Sequence, residues 1–231
     1  MGAESARNIY GTTLVVARRF AHATAPGLKS YPAVSVKEVY WLIMDCKNYK
    51  PKIELLYPLF NWTQIWKYVS NKYIDKKSRE IVYRYVHEIL NTKDRLYMMK
   101  ISNENKCLYC GDVENNMHIF YFCPSAKSIL IWLMSVLKKF CKIETKSLLR
   151  ILRLDFRTPT KKDENTAIII LSDFISGLWY GRSIGLLTDD PNLITFVKNR
   201  MAKTKRILSQ AYANKLENVF TKEYILHAFC K

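Results

Sequence analysis

The chain has 231 residues, 49% of them hydrophobic and 13% aromatic, which is enough for a real core and excludes a disordered protein. Thirty-seven Lys and Arg against twenty Asp and Glu leave a formal charge of +17, a balance that favours polyanionic partners, RNA or DNA before an anionic membrane. The opening "MGAESARNIYGTTLVVARRF" lacks a cationic segment leading into an unbroken apolar run, so the six cysteines are read in an intracellular, reducing compartment and not as a disulfide framework.

With only seven Gly and seven Pro, and neither a repeat nor a low-complexity linker, the composition points to compact, mostly helical structure. Three segments are expected: residues 1–60, partly loose with one short helix; 61–145, helices plus a metal knuckle; and 146–231, a C-terminal helical region. In the first, "VSVKEVYWLIM" places Val36, Val39, Tyr40 and Ile43 at helical spacing behind Ser35 as cap. In the second, helices are predicted near Trp62–Val69, Ser78–Leu90 and Thr92–Met99. Ile81, Val82, Tyr85 and Ile89 form the apolar face of the middle one. His87 lies beside that face with no cysteine near it in sequence, and is read as a partly buried core histidine.

The stretch "CLYCGDVENNMHIFYFC", residues 107–123, carries the chemistry. Its spacing, Cys-x2-Cys-x7-His-x4-Cys, offers four soft or borderline ligands, the number a tetrahedral zinc ion takes. Gly111 directly after Cys110 suits a knuckle turn that needs positive φ. His118 and Cys123 are five residues apart, and at about 100° per residue an α-helix would aim them about 140° apart. Pro124 offers a way out, because it pushes Cys123 out of the α region and favours a new helix behind it. A thiolate at that helix N-terminus is expected to be stabilised by the dipole. A catalytic zinc is set aside: the deaminase pattern needs Glu two residues after His, and here Ile119 and Phe120 follow His118. The expected cofactor is therefore one structural zinc held by Cys107, Cys110, His118 and Cys123. Cys46, Cys141 and Cys230 lack such spacing and are read as buried or free thiols.

The order of "NWTQIWKYV", "REIVYRYVHEILNTKDRL", "CLYCGDVENNMHIFYFCP" and "AKSILIWL" resembles the zinc-binding region that follows the polymerase in non-LTR retrotransposon reverse transcriptases. The resemblance runs from about Asn61 to Leu154. It implies a nucleic-acid-binding segment that helps a retroelement enzyme engage RNA or target DNA, with the same four residues as zinc ligands. The polymerase's own aromatic-x-Asp-Asp motif is missing. The one Asp-Asp, "LLTDDPNL", has Leu187 at the aromatic position, and Asp189 and Asp190 before Pro191 read as helix caps. No phosphate-binding loop, nucleophile elbow or zinc-protease motif is present. The chain is expected to be a non-enzymatic, truncated or repurposed piece of such a protein.

Towards the C-terminus, "TAIIILSDFISGLWYGRSIGLL" is the longest apolar tract, and Asp173 and Arg182 inside it make it a buried helix and not a membrane span. "KNRMAKTKR" puts Lys198, Arg200, Lys203, Lys205 and Arg206 on a helix without an acid among them. Together with Lys72, Lys76, Lys77 and Arg79, and with Tyr109 as a ring that could stack on a base, these are the candidate nucleic-acid contacts. The bland alternative for the cations is a solvated helix face. The expected fold is thus all-α and bundle-like, with a small Cys3His zinc knuckle inserted between helices. The competing function is a protein-interaction module in which zinc only stabilises the fold.

Overall fold

The computed structural model describes residues 51–124, 126–185, 191–212 and 215–226, all but the first two of which belong to one compact unit, Ile53–Lys231. The helix expected at Ser35–Ile43, Cys46, the capping pair Asp189 and Asp190, and Cys230 lie outside the described residues.

Helices begin where a short polar side chain can accept an otherwise orphaned backbone N–H. After a short α1 (Lys52–Leu56), Asn61 caps α2 (Trp62–Val69) by accepting from Gln64 N–H at 3.2 Å. Asp75 caps α3 (Lys76–Val86), accepting from Lys77 and Ser78 N–H at 3.0 Å each. Thr92 caps α4 (Lys93–Met98) in the same way. The expected helix over Ser78–Leu90 is therefore present but ends early. Glu88 sits at φ 57, and Ile89 N–H closes back on the Arg84 carbonyl at 2.8 Å, a left-handed helix stop. A non-glycine residue tolerates that φ only when held, and the Glu88 carboxylate is held by Arg153 and the Tyr57 hydroxyl. As a result Ile89, assigned to the core face by periodicity, is 37% exposed.

Beyond the cysteine–histidine stretch come α5 (Ala126–Phe140), α6 (Leu148–Leu152), α7 (Lys161–Ser183), α8 (Pro191–Ala211), α9 (Leu216–Val219) and α10 (Lys222–Leu226). Extended pairing among the described residues is confined to a single bridge, Lys106 with Val113. The described residues are all-helical, with the Cys/His cluster sited between helices.

Helix α7 is the hub. It is the buried helix expected from the apolar tract, and no described helix is long and apolar enough to cross a membrane. From Asn165 to Leu178 every residue of it is buried, so it cannot offer one face to solvent. Helices α3, α5, α8 and α9 pack around it. The approach of α8 is close: a Cβ on Gly181 would lie 2.2 Å from Leu193 Cδ1, so a larger residue there would require the Leu193 side chain to shift. Side chains from 61–145 and from 146–231 share this core.

A polar seam crosses the apolar packing. Arg200 of α8 donates through Nε to Ser176 Oγ at 2.8 Å and through Nη2 to Ser78 Oγ at 2.6 Å, joining α8, α7 and α3. Its guanidinium also lies over the Tyr180 ring. Beside it Asp173, 1% exposed, accepts from the Thr204 hydroxyl at 2.9 Å. Burial raises the Asp173 carboxyl to about 7, against the opposing pull of Thr204 and Arg200. Because this value lies above that of an unfolded aspartate, near 3.8, the contribution of Asp173 to stability is full below the unfolded value and is lost as pH rises through 7. The expected outcome is that Asp173→Asn gains thermal stability relative to wild type between pH 5 and pH 8. Differential scanning fluorimetry of both proteins across that range checks it, and a constant offset would show that the carboxyl does not titrate there.

Candidate metal centre

The site is built from two local devices. The first is a knuckle over Cys107–Gly111: Gly111 N–H donates to the Cys107 carbonyl at 3.0 Å, and Cys107 N–H to the Asp112 carbonyl at 2.7 Å. Gly111 stands at φ 79, the left-handed value the turn requires, as its place after Cys110 suggested. The second device is a single π turn, His118–Phe122, started by Asn115, whose side chain accepts from His118 N–H at 2.8 Å. The turn closes when Cys123 N–H donates to the His118 carbonyl at 2.8 Å. An i→i+5 closure sets Cys123 over His118, where an α-helix would have turned them apart. Cys123 itself is extended, φ −60 and ψ 126, as a residue before proline should be.

The two devices bring the four side chains together. The three sulfurs and a histidine nitrogen all lie within 4.8 Å of one another. Cys107 and Cys123 Sγ are 4.0 Å apart, and Cys110 Sγ is 3.2 Å from His118 Nε2. In a zinc tetrahedron with ordinary bond lengths the corresponding edges are about 3.8 Å between sulfurs and about 3.5 Å between sulfur and nitrogen. The donor set fits a zinc ion in both chemistry and spacing. When bound, the metal supplies a four-way cross-link and replaces the protons that the thiols would otherwise carry.

The electrostatics prepare the thiols unequally. Burial pushes the Cys107 thiol up, but the N–H groups of Cys110 and Tyr109, the His118 ring and the Arg182 guanidinium together outweigh it and bring it down to about 6. Burial and the neighbouring thiolates push Cys110 up to about 11. Arg182 approaches the Cys107 sulfur at 3.7 Å and, through the same Nη2, pairs with Glu114 at 2.6 Å. Three thiolates around a dication leave one negative charge in excess, and Arg182 is the cation that faces it. It comes from the far end of α7, 75 residues from Cys107. Sequence reasoning placed Arg182 in a buried helix without a partner and left Glu114 out altogether. The signal was a charge inside an apolar tract, which demands a counter-ion but does not name one.

The candidate nucleic-acid residues fall into distinct settings. Lys72, Lys76 and Lys77 are placed at and before the start of α3, and all three are exposed. Arg79 turns inward and donates to the Asn71 and Ile74 carbonyls at 3.1 and 3.0 Å, and Arg200 is committed to the polar seam. Lys203 and Arg206 are exposed, while Lys198 and Lys205 are half-buried. By helical geometry Lys203 and Arg206 share the side of α8 away from Leu193, Val197 and Met201. Tyr109 is exposed on the outside of the knuckle. His87 is stacked on Trp66 and lies apart from the metal cluster. Cys141 is buried.

A helical fold holding a Cys3His cluster between helices defines a zinc-binding module. Residues 35–132 match the family model described as zinc-binding in reverse transcriptase. The matched segment contains all four donors and ends inside α5, so Arg182 lies beyond it. Searches of curated proteins and of solved structures find no match.

Cys110→Ser is expected to abolish stoichiometric zinc binding. Arg182→Met should keep one zinc per chain at saturation yet weaken affinity by about 10–100-fold, the usual effect of losing a residue that supports a metal ligand. Competition against a chromophoric chelator separates the two, and unchanged affinity in Arg182→Met would mean that its contact with Cys107 has no energetic weight.

Proposed function

We propose that the protein binds RNA or DNA through a basic face of its helical unit, with one structural zinc ion holding that unit in shape. We further propose that it derives from the nucleic-acid-binding segment of a non-LTR retrotransposon reverse transcriptase. The family match supports the zinc and the origin. One observation carries the binding reading: Arg200 joins the start of α3 to the middle of α8, residues 122 apart in the chain, through Ser78. That contact sets Lys76 and Lys77 beside the helix that bears Lys203 and Arg206. The loop between α2 and α3 runs on along α8, since Tyr73 packs edge-on against Tyr212. On a chain of +17 we read these exposed cations as one side suited to phosphates and indifferent to base sequence, with Asp75 held by Arg200 between them.

Catalysis forms no part of the reading. Four protein donors leave zinc no open position for substrate or water, which is the mark of a structural site. Thiolate ligation requires reduced cysteines, so the proposal includes a reducing compartment.

Titration into labelled single-stranded RNA and duplex DNA over a salt series tests this. Affinity should fall steeply with salt, and replacing Lys76, Lys77, Lys203 and Arg206 together by Ala should reduce the log–log slope by about 3, at about 0.7–0.9 per phosphate. Zinc content should not change. A flat salt dependence in the wild-type protein would sink the proposal.

A further inference from the structure

On the side of α5 that faces away from α7, an apolar groove of about 520 Å³ runs between the π turn and the start of α6. Its walls are Phe122, Leu130, Ile131, Met134 and Leu148. Phe122 is 63% exposed and Ile131 64% exposed, both large apolar side chains left in water. Lys127 and Lys138 also line it, and no acidic residue does. Along α5 the spacing Lys127, Ile131, Met134, Lys138 is four, three, four, the seam on which one helix packs against another. The two lysines stand 11 residues apart, about 16 Å or three helical turns. The basic clusters of the proposed nucleic-acid face lie on other elements, α3 and α8.

We propose that this groove docks an amphipathic helix of a partner protein, about three turns long, with apolar residues along one seam and acidic residues at both ends. The 4-3-4 seam selects a helix. Lysines at both ends select acidic flanks. A second copy of this chain is a poor occupant, because pairing the groove with itself sets lysine against lysine on a protein of +17. A nucleic acid could stack on Tyr121 and Phe122 at one end, but Leu130, Ile131, Met134 and Leu148 along the rest of the groove give bases no ring to stack on. One wall flanks the candidate zinc donor Cys123, so a bound metal would hold Phe122 and Pro124 at the groove's edge. The proposal stands independently of nucleic-acid binding.

Three synthetic 18-residue helical peptides test it against the zinc-loaded full chain by fluorescence anisotropy. The first has a leucine seam and glutamate pairs at both ends, the second the same seam with lysine pairs, and the third the glutamate ends with serines in the seam. The first should bind at least about tenfold more tightly than either control, and Ile131→Glu should remove that preference. Lys127→Glu combined with Lys138→Glu should reverse the choice between glutamate and lysine ends. Both positions and Ile131 are exposed, so zinc content and helical circular dichroism should stay at wild-type values. Equal binding of all three peptides, no binding of the first at about 1 mM, or indifference to Ile131→Glu would overturn the proposal. Displacement of the first peptide by single-stranded RNA, together with loss of RNA affinity in Ile131→Glu, would also overturn it and assign the groove to nucleic acid.

Discussion

A helix that is mostly apolar on every side has to be covered on every side, and α7 imposes that requirement on the helices around it. Its buried run from Asn165 to Leu178 leaves no solvent face, so α3, α5, α8 and α9 take their places around it. The polar groups α7 carries inward decide how the neighbours are oriented. Ser176 and Asp173 need partners, and Arg200 and Thr204 of α8 supply them. Gly181 leaves room for the Leu193 side chain of α8.

The segment from Asn105 to Pro124 faces the opposite problem. It is short, polar in its first half, and carries two exposed apolar side chains near its knuckle, Leu108 and Val113. So short a stretch does not bury enough surface to define its own shape, and the four metal donors stand where a core would otherwise be. Phe120 and Ile119 are its anchors into the shared core, with Phe120 edge-on to Tyr85. Arg182 adds a link of another kind, joining the thiolate cluster to the end of α7 through Cys107 and Glu114. The metal site and the hub helix are thus parts of one electrostatic unit. That unit extends beyond the residues matched by the family model.

The cations are sorted by their tasks. Arg79, Arg153 and Arg200 are spent on internal carbonyls, carboxylates and hydroxyls. Lysines dominate what remains outside: Lys76, Lys77 and Lys203 among the candidate contacts, Lys127 and Lys138 along the apolar groove. The division follows from chemistry. A guanidinium offers several donors in a fixed fork and is weakly hydrated, so it is the cation that can be buried against two or three acceptors, whereas an ammonium keeps its water.

Much of this was legible in one dimension because it rests on local rules. The starts of α2 and α4, the positive φ of Gly111, the extended Cys123 before Pro124 and the Cys/His cluster depend on residues a few positions apart, so spacing alone determined them. The burial of α7 was likewise readable, since two charges in a long apolar tract fit a protein core better than a bilayer. What only the tertiary structure decided depends on residues far apart in sequence. Helix α3 stops at Val86 because Arg153 and Tyr57 hold Glu88 in a left-handed conformation. Arg182 finds Cys107, and Arg200 leaves the cationic surface for Ser78 and Ser176. A sequence states that a buried charge must have a partner; which of many partners it takes is settled only when packing brings one of them within reach.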